Sequence, residues 1–170
     1  MISIEPASDM DEVRAIFREY ATAAGVDLAF QKFDEEMATL DTFYVAIFVA
    51  RGHPERSEGP PAVRHGRSFA VFAAQDDTVA GCVALRDLGD GLCEMKRLYV
   101  RPAFRGQNLG RTLAEHVIAE GRVRGFKAMR LDTLPSMQSA MALYESLGFR
   151  DIDAYRFNPI AGSRYMELTL

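Results

Sequence analysis

The sequence predicts one mixed α/β domain with helices packed on a central sheet. Three observations carry this expectation. The chain has 170 residues, 48% of them hydrophobic, a length at which one domain buries roughly 70% of its unfolded surface without a disulfide or metal staple. Apolar residues recur at helical spacing in some segments and alternate, or run unbroken, in others. Segments of the two kinds interleave along the chain.

Ile2–Pro6 alternates apolar and polar residues and reads as a short strand. Asp9 stands at a helix N-cap position, with Glu12 three residues on as its capping-box partner. Val13, Ile16, Phe17, Tyr20 and Ala24 continue at helical spacing, and Gly25 ends the run. A second short helix is expected over Asp34–Leu40, and the β-branched and aromatic run Phe43–Ala50 predicts a strand. Residues 51–67, RGHPERSEGPPAVRHGR, hold three of the seven prolines and only Ala62 and Val63 as apolar residues. Burial cannot offset the ordering entropy of such a segment, so it reads as an exposed loop or insertion. Its string HPERSEGP also resembles translated bacterial interspersed repeats. His53 and His65 lack a partner pair at a metal-binding spacing, and no metal is expected.

Ser68–Ala74 and Thr78–Leu85 predict strands around the turn Gln75–Asp77, and the turn Asp87–Gly91 leads into a strand over Leu92–Val100. Cys82 and Cys93 flank that hairpin and are expected as neighbouring buried thiols rather than a disulfide. After a loop over Arg101–Gly106, a helix is expected over Leu109–Arg124, with Leu109, Leu113, Val117 and Gly121 on one stripe and Gly125 at its end. Ala128–Thr133 is a short strand. Pro135 and Ser136 start a helix with Ala140, Tyr144 and Leu147 on one face, closed by Gly148 and the apolar Phe149 of a Schellman-type end. Strands around Arg150–Tyr155 and Arg164–Leu170 finish the chain.

Several function classes fall away. No apolar run approaches the roughly 18 to 20 residues of a membrane span. The first ten residues lack a basic start and a long apolar stretch, so no signal peptide is expected, and two cysteines without CxxC spacing fit reduced thiols in the cytoplasm. The net charge of −4 hides an asymmetry. Residues 1–45 carry ten acids and three bases, whereas residues 94–130 carry nine bases and three acids. These are either two solvated faces or two halves of a binding site.

The basic segment holds the chemistry. CEMKRLYVRPAFRGQNLGRTLAEHVI, residues 93–118, runs from a strand through a glycine-containing loop into a helix. Unpaired N–H groups and the macrodipole make a helix start attractive to anions. Gly106 and Gly110 let the backbone approach, and Arg101, Arg105 and Arg111 add charge-assisted donors. The physical reading is a pyrophosphate site. Neither GxGxxG nor GxxxxGK[ST] is present, so the Rossmann and P-loop readings fit poorly. A lone RGxxxG is equally consistent with a ligand-free helix start. The arginines lack the interleaved aromatic residues of single-strand binders, and no nucleic acid or membrane partner is expected.

Here the sequence resembles the GNAT superfamily of CoA-dependent N-acetyltransferases. Arg105, Gly106, Gln107, Asn108, Leu109 and Gly110 match the family pattern (Q/R)xxGx(G/A), with Asn108 in place of the middle glycine. Asparagine is the next most tolerant residue for left-handed geometry. LYVRPAFRG and the later ALYESLGF (Ala142–Phe149) are characteristic of the family, and the likeness covers nearly the whole chain apart from 51–67. It implies a GNAT-like acyl-CoA N-acyltransferase fold: a mixed sheet, helices on both faces and a splayed pair of parallel strands, here those ending at Val100 and Thr133. It implies a single N-acetyltransferase domain over residues 1–170.

The resemblance also implies roles. The pantetheine arm of acetyl-CoA, a co-substrate, would bond to the backbone of Leu98, Tyr99 and Val100, with an N–H near Leu98 polarising the thioester. Arg105, Gly106, Gln107, Asn108, Leu109, Gly110, Arg111 and Thr112 would hold the pyrophosphate. Tyr144 occupies the general-acid position; its structural alternative is a core aromatic residue aligned with Ala140 and Leu147. Glu94, an acid in an otherwise apolar stretch, is the candidate base. A salt bridge to Lys96 or Arg97, or plain exposure, is its alternative reading, and His116 and Asp132 are weaker candidates. Where many relatives have asparagine this chain has Met137, with Ser136 or Ser139 as substitutes. The expected acceptor is a small-molecule or peptide amine, and a homodimer is compatible with the resemblance. The acidic first quarter would border the acceptor and favour a cationic amine. The competing function is a non-catalytic CoA-binding sensor or partner module.

Overall fold

The computed structural model describes residues 2–25, 27, 32–52 and 78–170. The elements are β1 Ser3–Pro6, α1 Met10–Ala24, α2 Phe33–Ala38, α3 Leu40–Phe43, β2 Ala46–Gly52, β3 Thr78–Gly89, β4 Leu92–Val100, α4 Leu109–Val123, β5 Ala128–Thr133, α5 Gln138–Ser146, β6 Arg150–Ile152 and β7 Arg164–Thr169. Seven strands form one sheet in the order β1-β2-β3-β4-β5-β7-β6. Every pairing is antiparallel except β4 with β5.

Each face of the sheet has its own core. On one face α4 sets Leu113, Ala114 and Val117 against Val83, Leu85 and Met95. On the other, α1 contributes Val13, Ile16 and Phe17 against Val49, Cys82 and Ala84. The mixed sheet with helices on both faces is the predicted architecture.

Local chemistry accounts for the boundaries. Asp9 caps α1 by accepting from the N–H groups of Asp11 and Glu12. Glu12 does not complete a capping box; its carboxylate is taken by Arg51 at the end of β2. The helix expected over Asp34–Leu40 is broken at Thr39, whose hydroxyl donates to the carbonyl of Glu35 and ends α2. The strand expected from Phe43 starts at Ala46 and runs on to Gly52, so Arg51 and Gly52 belong to the sheet and not to the loop. β3 continues past Leu85 to Gly89, and a 3-10 turn, Pro102–Phe104, interrupts the loop after β4. β6 stops at Ile152, short of the expected Tyr155. The α5 end is a Schellman motif: the Gly148 N–H donates to Glu145 and the Phe149 N–H to Tyr144.

Cys82 and Cys93 are not neighbours. Cys82 lies opposite Tyr99 and Cys93 opposite Asp87, and the two thiols enter different cores. Both are free, and burial raises both thiols, Cys93 to about 12. The strand predicted over Ser68–Ala74, the turn Gln75–Asp77, and His53 and His65 lie outside the described residues.

Candidate functional site

The site begins with a mismatch in the sheet. Ala84 pairs with Lys96 and Cys82 with Tyr99, so Val83 alone faces two β4 residues, Arg97 and Leu98. Arg97 takes up the extra residue in the left-handed region, with φ of 56°. Such a bulge bends its strand and re-aims the side chains beside it. The parallel pairing of β4 with β5 holds only at Leu92–Ala128, Cys93–Met129 and Glu94–Arg130. Beyond those pairs the two strands part.

A cavity of about 450 Å³ occupies the gap. Its walls include the β4 stretch from Met95 to Val100, Asp132 and Thr133 of β5, Tyr20 of α1 and Tyr144 of α5. Arg105 and Gly110 lie on its wall beside the start of α4. Gly106 has φ of 80°, and Asn108 occupies the N-cap of α4 with φ of 61°. The asparagine thus adopts the left-handed geometry that the sequence comparison asks of a glycine. The Arg105 Nε donates to the Val100 carbonyl at 3.1 Å, tying the loop to the end of β4. Arg111 and Thr112 sit in the first turn of α4, the former near Glu115 and the latter donating to the Asn108 carbonyl. Leu109 is buried in the core, so only its backbone can face a ligand.

Tyr144 lines the cavity and packs edge-on against Phe149, with centroids 5.8 Å apart. Burial above all, with Tyr20 and Asp132 beside it, raises its phenol well above the ordinary range. Glu94 is fully buried and is not part of the cavity wall. Its Oε1 accepts from the Tyr155 hydroxyl at 2.7 Å and pairs with Arg156 at 3.2 Å. Its Oε2 has no hydrogen-bond partner; Arg86 and Lys96 stand 3.8 and 3.9 Å away. Asp132 does reach the cavity and is held by Arg156 and by the Asn158 amide. His116 stacks edge-on with Phe48, away from this wall. Met137 and Ser139 lie at the α5 end of the cavity.

Three groups were not legible as site residues. Lys96, Arg97 and Arg156 form a charged layer with Glu36, Glu94 and Asp132. Glu36 clamps Arg97 through both carboxylate oxygens and accepts from the Tyr44 hydroxyl. One signal was available: two cations inside the strand LCEMKRLYV, where a buried strand carries apolar residues.

Among the described residues no group of His, Cys, Asp and Glu could hold a metal ion, and no helix is long and apolar enough to cross a membrane. Residues 37–149 match the model of the acetyltransferase (GNAT) family. An uncharacterized N-acetyltransferase of Schizosaccharomyces pombe is 37% identical over 171 residues, covering 99% of this chain and 93% of that protein. A GNAT-family acetyltransferase structure from Staphylococcus aureus superposes with a TM-score of 0.72 at 15% identity, covering 99% of both chains. A structure from Salmonella typhimurium with its cofactor acetyl-CoA gives 0.62 at 21% identity, over 99% of this chain and 94% of that one. At these identities the two structures speak to the fold.

Proposed function

The chain belongs to the acetyltransferase (GNAT) family and is an N-acetyltransferase, and from that premise we propose that it moves acetyl from acetyl-CoA to a primary amine by direct attack in a ternary complex. The observation that carries this reading is the parted β4–β5 pair, opening beside a glycine turn at a helix start. Leu98, Tyr99 and Val100 offer backbone groups to the pantetheine arm where pairing with β5 has ended, so the arm binds as an added strand. Arg105 to Thr112 receive the pyrophosphate through the N–H groups of the α4 start. An N–H near Leu98, just past the bulge, polarises the thioester carbonyl.

The amine lone pair forms the new N–C bond as the C–S bond breaks. Tyr144 donates the proton that the departing thiolate takes. The phenol is protonated at neutral pH even at its ordinary value near 10; burial raises it further, so its transfer to the less basic thiolate runs uphill and leans on the geometry of the cleft. Asp132 is the carboxylate that the cavity wall offers for the proton of the amine. Glu94 acts through Arg156 as a positioning residue. No thiol is needed, and both cysteines are buried in the cores.

Thiol release from acetyl-CoA across a panel of amines tests the reading. Tyr144→Phe is expected to lower kcat roughly a hundredfold or more with the fold intact. A variant within threefold of wild type would remove Tyr144 from the chemistry. Asp132→Asn should lower kcat/KM for the amine far more than Glu94→Gln does, with the fold intact in both. The opposite pattern would return the base to Glu94.

A further inference from the structure

Resting on that assignment of the cleft, we propose that Glu36 of α2 is a positioning residue for acetyl transfer. It holds Arg97 so that the β4 bulge aims the Leu98 N–H at the thioester carbonyl. Stability alone does not account for the Glu36–Arg97 pair. The two residues are 0% and 3% exposed, so both charges have left water. Apolar residues of similar volume would serve a helix packed on a sheet at least as well, because the cost of burying two charges can exceed their attraction. The best-attested use of such a pair is to fix one arrangement among several.

The arrangement in question is the backbone of Arg97. Its φ of 56° lies in the left-handed region, which disfavours residues that carry a Cβ. Such a residue persists there only when its surroundings hold it. Here side chain and carbonyl are both held. Glu36 takes the guanidinium with both carboxylate oxygens, the Nε contact at 2.7 Å, and Glu36 itself accepts from the Tyr44 hydroxyl. The guanidinium also stands over the rings of Tyr20 and Phe33, 5.3 and 5.2 Å from their centroids. On the facing strand β3, the Cys82 thiol donates to the Arg97 carbonyl at 3.2 Å.

The consequence falls on the next residue. The peptide plane after Arg97 carries the Arg97 carbonyl and the Leu98 N–H, which point opposite ways in a trans peptide. A carbonyl held on the Cys82 thiol therefore leaves the N–H directed away from that thiol. At a bulge the regular ladder does not set this direction, since Val83 faces both residues. Leu98 borders the cavity together with Tyr144, so the aimed donor and the phenol serve one space. A misplacement of about 1 Å at such a donor costs up to roughly a hundredfold in rate. Glu36, 61 residues away in sequence, thus acts on the reacting carbonyl through Arg97 without touching it.

Infrared difference spectra of acetyl-CoA labelled at its thioester carbonyl read the contact directly, beside kcat and affinity for CoA. Binding to wild type should lower the carbonyl frequency. Glu36→Gln keeps the shape and loses the charge; it should lose most of that shift and lower kcat roughly ten- to a hundredfold. Its affinity for CoA, which lacks the carbonyl, should stay within about threefold of wild type. Arg97→Gly and Arg97→Ala both remove the guanidinium, but only glycine takes the left-handed backbone freely. Arg97→Gly should therefore retain more of kcat than Arg97→Ala. A full frequency shift in folded Glu36→Gln would overturn the proposal. So would equal rates in the two Arg97 variants, or kcat and CoA affinity falling together as a purely structural role requires. Should Glu36→Gln fail to fold, the Arg97 pair decides alone. An unshifted carbonyl in wild type would overturn the polarising N–H on which the proposal rests, and thiol release with no amine would overturn the acetyl-transfer reading beneath both.

Discussion

Lys96 has a thermodynamic consequence that can be separated from catalysis. Its ammonium titrates near 8 in the folded chain against an ordinary 10.5, because burial disfavours the charged form and Arg97 and Arg156 oppose it. The unfolded chain therefore binds more protons between those two values, and stability gains with rising pH across that window. Below about 8 both states are protonated and the full penalty of burying the charge is present. Relative to Lys96→Met, wild type should gain on the order of 3 kcal/mol between pH 7 and pH 10.5. Denaturant titrations of both proteins at several pH values measure this. A flat difference would mean that Glu94 and Glu36 already neutralise the ammonium. Some residue-level features were legible, such as the left-handed Asn108, because backbone preference is local. The Arg97–Glu36 clamp was not, because its partners lie 61 residues apart and only the fold brings them together.

At the scale of elements, β4 depends on how closely β3 and α4 approach it. A Cβ added to Gly81 would lie 2.6 Å from the Tyr99 carbonyl oxygen and 3.1 Å from Leu113. The first is backbone and cannot swing away. Gly81→Ala must push the β4 end outward, at a cost of about 1–3 kcal/mol. Because Tyr99 lies in the stretch assigned to pantetheine, KM for acetyl-CoA should also rise severalfold. Thermal melts and acetyl-CoA titrations check the two effects, and loss of stability with unchanged KM would separate this strand from the cofactor. The bounds of β4 and β5 were readable from their apolar runs and flanking turns. The break at Thr39 was not, since one side-chain hydrogen bond decides it within a helical pattern.

For the molecule as a whole, the uneven charge acquires a different meaning from the one its sequence suggests. The acidic first quarter was expected to rim the acceptor pocket. Four of its ten acids instead brace the sheet: Glu5 and Glu12 hold Arg51, Glu36 holds Arg97, and Glu19 holds Arg101 through both oxygens at 2.6 and 2.8 Å. Sequence shows which charges exist, but their partners depend on strand order, which carries β4 beside α1. With these four committed and no acid of the first quarter on the described cavity wall, the charge beside the α4 start is that of bases such as Arg105, whose side chain is exposed on the donor side of the cleft. Steering should therefore act on the polyanionic donor and much less on the acceptor. Raising salt from about 0.02 to about 0.5 M shortens the screening length from roughly 20 to roughly 4 Å. Over that range kcat/KM for acetyl-CoA should fall severalfold, while kcat/KM for a simple cationic alkylamine at saturating acetyl-CoA should change little. Arg105→Gln should lower the first quantity at low salt and flatten its salt dependence. A steep salt dependence confined to the cationic amine would restore the acidic segment as the attracting surface.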